Sequence, residues 1–328
     1  MADAITDPRE LLAALDLGSG WLTGAQEAAA LFPLRVPRPY LARMRRGCPD
    51  DPLLRQVLPL REEGRAAAGF GPDPVGDRRA LVAAGILQKY EGRALATATG
   101  ACAIHCRYCF RRHFPYGEAN AARDGWRAVW EHLDKNPAIA ELILSGGDPL
   151  SLGEDRLAQL LPGLAARPQV LRLRIHTRLP IVIPARIDDA FMDWIHAARL
   201  QVVMVLHVNH AQEIDQPVRA AMSRLRAAGV TLLNQAVLLA GVNDSADAQV
   251  TLCETLFGAG ILPYYLHVLD HVAGAAHFAV APGPMMALFR EMEARLPGYL
   301  VPKLVQEQAG APAKVRLGAG ALAPNPVE

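Results

Sequence analysis

From about residue 93 the chain repeats one pattern: a short apolar run of strand length, then a longer stretch with apolar positions at helical spacing. The runs fall at 94–99, 141–144, 170–175, 201–206, 231–239 and 262–268, and the helical stretches at 119–135, 155–166, 187–198, 218–228, 246–258 and 284–295. Strands that alternate with helices predict βα units wound around a parallel sheet. Six units are too few to close the eight-stranded barrel that such units commonly form. The pattern therefore predicts an α/β fold, a partial (β/α)6 TIM-type barrel whose open side is covered by the flanking segments.

The flanks break the pattern. Residues 1–88 read as a helical N-terminal extension on a core spanning 89–296. Asp7-Pro8 and Asp51-Pro52 each place an N-cap residue before a proline at the first helical position. Between them Phe32-Pro-Leu-Arg-Val-Pro-Arg-Pro39 is too rich in proline for a helix. Residues 297–328 do not start a seventh βα unit; they form a C-terminal segment in which Lys314 ends the small-residue loop Gln308-Ala-Gly-Ala-Pro-Ala-Lys314.

A β/α barrel gathers its chemistry at the C-terminal ends of its strands, and each predicted strand runs into polar groups. The first is followed by Cys102, Cys106 and Cys109, the second by Ser145-Gly146-Gly147-Asp148, and the third by His176-Thr-Arg178. The fourth reaches His207-Val-Asn209-His210, the fifth contains Asn234-Gln235, and the sixth leads to His267 and Asp270. One such residue is ordinarily a loop residue or a hydrogen-bonded core histidine; six in phase predict one shared site.

Composition narrows the class. A chain of 328 residues with 51% hydrophobic content can bury one large core or two modest ones, and a formal charge of +1 lacks the basic excess of a non-specific nucleic-acid binder. There is no run of eighteen apolar residues and no basic-then-apolar leader at the N-terminus, so no membrane association is expected and the expected location is cytoplasmic. Five cysteines, an odd number with three clustered, do not form a disulfide framework and suit a reducing compartment.

The three clustered thiols are spaced C-x3-C-x2-C. A structural zinc site or an ordinary iron-sulfur cluster takes four protein ligands, whereas Cys48 and Cys253 lie more than fifty residues from this group and His105 is the only other ligand type within it. A zinc knuckle is the competing reading. The preferred one is a [4Fe–4S] cluster held at three irons, with the fourth open. This spacing resembles the signature of the radical S-adenosylmethionine (SAM) enzymes, and the resemblance implies that SAM occupies the open iron.

Other residues add detail. Ser145-Gly146-Gly147-Asp148 lets backbone approach a ligand without a Cβ in the way, with Asp148 supporting the turn or capping the next helix. Arg111 and Arg112 follow the cysteines, and a guanidinium suits the bidentate grip of a carboxylate. Only four lysines occur: Lys89, Lys135, Lys303 and Lys314. If pyridoxal phosphate (PLP) is used, one of them must form its Schiff base; Lys314 is the best placed, while Lys89 beside Tyr90 suits a phosphate.

Taken together, Phe32-Pro-Leu-Arg-Val-Pro, Pro49-Asp-Asp-Pro-Leu-Leu-Arg-Gln-Val-Leu, Lys89-Tyr-Glu-Gly-Arg-Ala-Leu, Cys102 through Tyr116, Leu144-Ser-Gly-Gly-Asp-Pro-Leu and Arg174-Ile-His-Thr-Arg-Leu-Pro resemble the lysine 2,3-aminomutases, in particular the short branch associated with elongation factor P (EF-P). The resemblance implies that Cys102, Cys106 and Cys109 hold the cluster, that Lys314 carries PLP, and that Lys89 and Tyr90 contact its phosphate. It implies SAM contacts at Ser145, Gly146, Gly147, Asp148, His207 and Gln235. Arg111 would take the α-carboxylate of L-lysine, and Asp270 with Glu307 its ε-ammonium; Glu307 stands where the longer members of the family have an aspartate.

The implied reaction is a radical 2,3-amino migration giving (R)-β-lysine for the ligase that modifies EF-P. The implied electron donor is a flavodoxin or ferredoxin. The sequence leaves the oligomeric state open, a homo-oligomer included. The competing functions are an aminomutase for another amino acid and a catalytically silent binding protein of the EF-P pathway.

Overall fold

A computed structural model describes residues 3–318. Six strands stand side by side in chain order: Arg93–Thr99, Glu141–Gly146, Arg172–Thr177, Gln201–Leu206, Thr231–Val237 and Leu262–His267. Every neighbouring pair among them is parallel. A hairpin of Leu81–Ala83 and Ile86–Leu87 extends one edge in antiparallel fashion. At the other edge Lys303–Gln306 joins in parallel and Val315–Arg316 returns antiparallel. The ten strands run in one linear order, so the barrel stays open between its two edges. The expected partial (β/α)6 barrel is therefore present. The parallel strand at Lys303–Gln306 is followed by no helix among the described residues, so it adds a seventh strand without a seventh unit.

Strand period explains which side chains reach the interior. In Arg172–Thr177 the residues Leu173, Ile175 and Thr177 are buried, and the two aliphatic side chains join the core shared with Phe191, Met222 and Leu225 of the surrounding helices. The alternate residues Arg174 and His176 point to the opposite face. The same alternation in Thr231–Val237 sends Leu232 and Ala236 into the core and Gln235 and Val237 inward.

Two helices are shorter than their apolar patterns suggest. The helix expected over 119–135 begins only at Arg127, because Trp126 sits in the left-handed region at φ 64°, with its indole N–H donating to the Arg156 carbonyl at 3.0 Å. The stretch 155–166 divides into Glu154–Ala158 and Leu160–Ala165, where Pro162 has no N–H to continue the ladder. The N-cap expectations hold: the Asp7 carboxylate accepts from Arg9 N, and that of Asp51 from Leu53 N and Leu54 N.

The N-terminal segment is pinned to the cysteine loop by charge. Glu63 accepts from Arg107 Nε at 2.8 Å and Nη2 at 2.6 Å, and from Arg112 Nη2 at 2.9 Å. Arg107 is wholly buried, so its guanidinium depends on this partner. Arg112 therefore turns away from the barrel interior. Among the described residues no helix is long and apolar enough to cross a membrane.

Candidate active site at the mouth of the barrel

One cavity of about 430 Å³ lies at the C-terminal ends of the strands. It is lined by Cys102, Cys106 and Cys109, by Ser145 through Asp148, by His207 and Gln235, and by Lys89, Tyr90, Arg111, Asp270, Glu307 and Lys314. Residues spread over 226 positions of chain meet there, from Lys89 to Lys314, because the strand ends converge on one mouth.

The Cys102 and Cys109 thiols are dominated by burial. Burial pushes the Cys102 thiol well up, and Cys109, Asp148 and Cys106 add to it; burial first, then Cys106, pushes Cys109 up to about 11. A bound cationic cluster is the partner that would hold such thiols as thiolates. Cys106 Sγ accepts from Arg178 Nη1 at 2.7 Å. Arg178, just after strand three, also donates to Tyr108 Oη, Gln56 Oε1, Tyr40 Oη and Glu213 Oε2, so both of its terminal nitrogens are held. Among the described residues no three His, Cys, Asp or Glu side chains are grouped to hold a single metal ion.

The glycine turn serves the main chain beside it. At Gly147 a Cβ would lie 2.4 Å from the Ala101 carbonyl, and at Gly146, φ 122°, 2.6 Å from that of Thr99. Gly147 N donates to Thr99 O at 2.7 Å and Asp148 N to Ala101 O at 2.8 Å. The Asp148 carboxylate in turn accepts from Leu150 N, Thr177 Oγ1, Arg178 N and Leu179 N. This turn locks strand two to the start of the cysteine loop and to the end of strand three.

A chain of charges runs from the glycine turn to Lys314. Arg111 donates from Nη1 to Ser145 Oγ at 2.9 Å and from Nε to Asp77 Oδ2 at 2.6 Å; Asp77 Oδ1 meets Lys89 Nζ at 2.7 Å. Lys89 continues to Glu307 at 3.4 Å, Tyr90 Oη donates to Glu307 at 2.9 Å, and Lys314 Nζ to Glu307 at 2.6 Å. Burial would raise the Glu307 carboxyl, but Lys314, Lys89 and Tyr90 outweigh it and hold it low. Asp270 has no ion-pair or hydrogen-bond partner for its carboxylate among the described residues. Burial chiefly, with Glu307 adding and Lys314 opposing, pushes it up to about 7.

Of the four lysines only Lys89 and Lys314 line the cavity, whereas Lys135 and Lys303 are exposed. His176 Nε2 is buried there with no partner, and burial holds His207 and His267 near 3, so all three imidazoles are neutral. The unpartnered His176 nitrogen and Asp270 carboxylate are groups that a polar ligand would satisfy. The donor set, three thiols at one end and an amine with carboxylates at the other, fits a cluster, a nucleoside cofactor and PLP.

Asp77 escaped the sequence reading, and Arg178 entered it only as one of the strand-end polar groups, with no role of its own. Arg178 had a signal, its place after strand three. Asp77 had none, since Asp73-Pro-Val-Gly-Asp77 reads as an ordinary turn.

No protein-family model matches the chain. It is 49% identical over 318 residues to the L-lysine 2,3-aminomutase of Escherichia coli (strain K12), covering 97% of this chain and 93% of that protein. It is 46% identical to the L-lysine 2,3-aminomutase of Haemophilus influenzae, covering 96% and 93%. Among solved structures, a radical SAM methyltransferase from Sphaerobacter thermophilus aligns with TM-score 0.46 at 16% identity, over 67% of this chain and 68% of that one.

Proposed function

The chain belongs to the L-lysine 2,3-aminomutase family of isomerases, and from that premise we propose that it converts L-lysine to (R)-β-lysine with a [4Fe–4S] cluster, SAM and PLP. The observation that carries this reading is the meeting of Cys102, Cys106, Cys109, Arg111, Asp270, Glu307 and Lys314 around one cavity.

Cys102, Cys106 and Cys109 would hold the cluster, with Arg178 orienting the Cys106 sulfur. The turn from Ser145 to Asp148, His207 and Gln235 would line the SAM end. Lys314 would attach PLP, and Lys89 with Tyr90 would face its phosphate. Bound together, the cluster with SAM supplies hydrogen-atom abstraction, and PLP supplies the conjugation through which nitrogen migrates. The chain's own work is to hold lysine at both ends and to keep water out. Arg111 grips the α-carboxylate by charge-assisted hydrogen bonds. Asp270, free of partners, takes the ε-ammonium, and Glu307 joins it once Lys314 is engaged elsewhere. Two acidic groups at the far end disfavour a substrate with an acidic side chain.

By its family resemblance the protein is cytoplasmic, receives its electron from a flavodoxin or ferredoxin, and passes β-lysine to the ligase acting on EF-P. In this reading the segments 1–88 and 297–328 cover the barrel core, the second carrying the PLP lysine; residues 1–2 and 319–328 of them lie outside the described residues. The test is an anaerobic assay with reconstituted protein, SAM, PLP and reductant, read by chiral analysis of the product. (R)-β-lysine is expected; lysine recovered unchanged from protein that holds cluster and PLP overturns the proposal.

A further inference from the structure

Asp77 occupies a position that the proposed reaction does not explain. It is 2% exposed, in the segment before the edge hairpin, with Oδ2 on Arg111 Nε at 2.6 Å and Oδ1 on Lys89 Nζ at 2.7 Å. The segment is itself fixed. Asp77 N donates to Asp73 Oδ1 at 2.8 Å, and Lys89 Nζ donates back to Val75 O at 2.9 Å. Burial would push the Asp77 carboxyl up, but Arg111 and Lys89 outweigh it, so the group stays ionised.

Arg111 is correspondingly constrained. Besides Asp77 it has Ser145 Oγ on Nη1, and the Phe110 and Phe114 rings lie 4.9 and 5.9 Å from its guanidinium carbon. Its Nη2 has no partner among the described residues, and the residue lines the cavity. A guanidinium anchored on two edges and flanked by rings has lost its rotamer freedom before a ligand arrives, so binding does not have to remove it.

We infer that Asp77 is a positioning residue that aims Arg111 at the carboxylate of the amino-acid substrate. The inference rests on the reading of Arg111 as the carboxylate receptor. The competing effect is electrostatic, since an anion beside Arg111 also weakens its pull on a second anion. Geometry decides for positioning: Asp77 holds the Nε edge and leaves Nη2 to the ligand.

The experiment compares L-lysine with L-lysinamide, which lacks the carboxylate, in holoenzyme loaded with cluster and PLP. The readouts are KM and kcat for lysine and the inhibition constant of lysinamide, in the parent, Asp77→Asn and Asp77→Glu. The parent prefers lysine. Asp77→Asn loses roughly tenfold of that preference, about one charge-assisted hydrogen bond, through KM more than kcat. Asp77→Glu, which keeps the charge, recovers part of it and supplies the comparison if the asparagine variant does not fold. A preference unchanged or increased in Asp77→Asn overturns the inference, because a merely structural residue or a competing anion would give that result. A parent that does not distinguish the two compounds overturns the role of Arg111 first, and the inference with it.

Discussion

At the scale of one residue, the ammonium-binding role proposed for Asp270 is tied to its burial. Its carboxyl is pushed up to about 7, chiefly by burial, and has no partner among the described residues. In the role proposed above, an arriving ammonium favours the charged form, so lysine binding should weaken as pH falls through about 7. The profile of kcat/KM against pH reports the free protein. It should show an acidic limb near that value, absent in Asp270→Asn, whose KM for lysine rises roughly tenfold or more. The same raised value costs the substrate-free fold stability as pH climbs from the ordinary carboxyl range to about 7, because over that interval the unfolded carboxyl is ionised while the folded one still holds its proton. Asp270→Asn should then melt at a higher temperature than the parent at pH 8, read by calorimetry. A variant that is both more stable and less able to bind lysine identifies a group placed for its ligand.

At the scale of elements the tightest constraint is the glycine turn after strand two. A Cβ on Gly147 would stand 2.4 Å from the Ala101 carbonyl, so Gly147→Ala must move either the turn or the cysteine loop. The expected cost is about 1–3 kcal/mol, measured by urea unfolding, with fewer irons retained per chain on reconstitution. This turn also marks how far sequence carries. A short apolar run and terminal Gly-Gly were enough to place strand two and its polar end. The close approach of the second glycine to the main chain of Gly100 and Ala101 was not legible, because it depends on parallel pairing of strand two with a strand more than forty residues earlier. The helix before strand two failed for a similar reason: the Trp126 indole is held by Arg156, thirty residues on, and that contact overrides the local pattern. The site followed the same division. Residues at strand ends announced themselves by phase, while Asp77, on an irregular segment with no period, became visible only through its partners.

At the scale of the whole molecule, the N-terminal segment and the barrel are joined through Glu63 and its two arginines. Glu63→Gln leaves Arg107, wholly buried, without its counter-charge. Breaking a buried pair from one side costs about 3–5 kcal/mol, so this variant should unfold at markedly lower urea than the parent. If the midpoint is unchanged, the pair does not hold the segment to the barrel.

The open sheet has a further consequence. Among the described residues its two edges share no backbone hydrogen bonds, yet Tyr90 beside one edge donates to Glu307 beside the other at 2.9 Å, across 217 positions of chain. Side chains, not a ladder, form the clasp. During synthesis the six parallel strands emerge first and can assemble, but the clasp waits until Glu307, which follows the sixth strand, has left the ribosome. The pocket is thus completed after the scaffold, and a nascent chain that already holds the three clustered thiols does not yet hold Glu307 or Lys314.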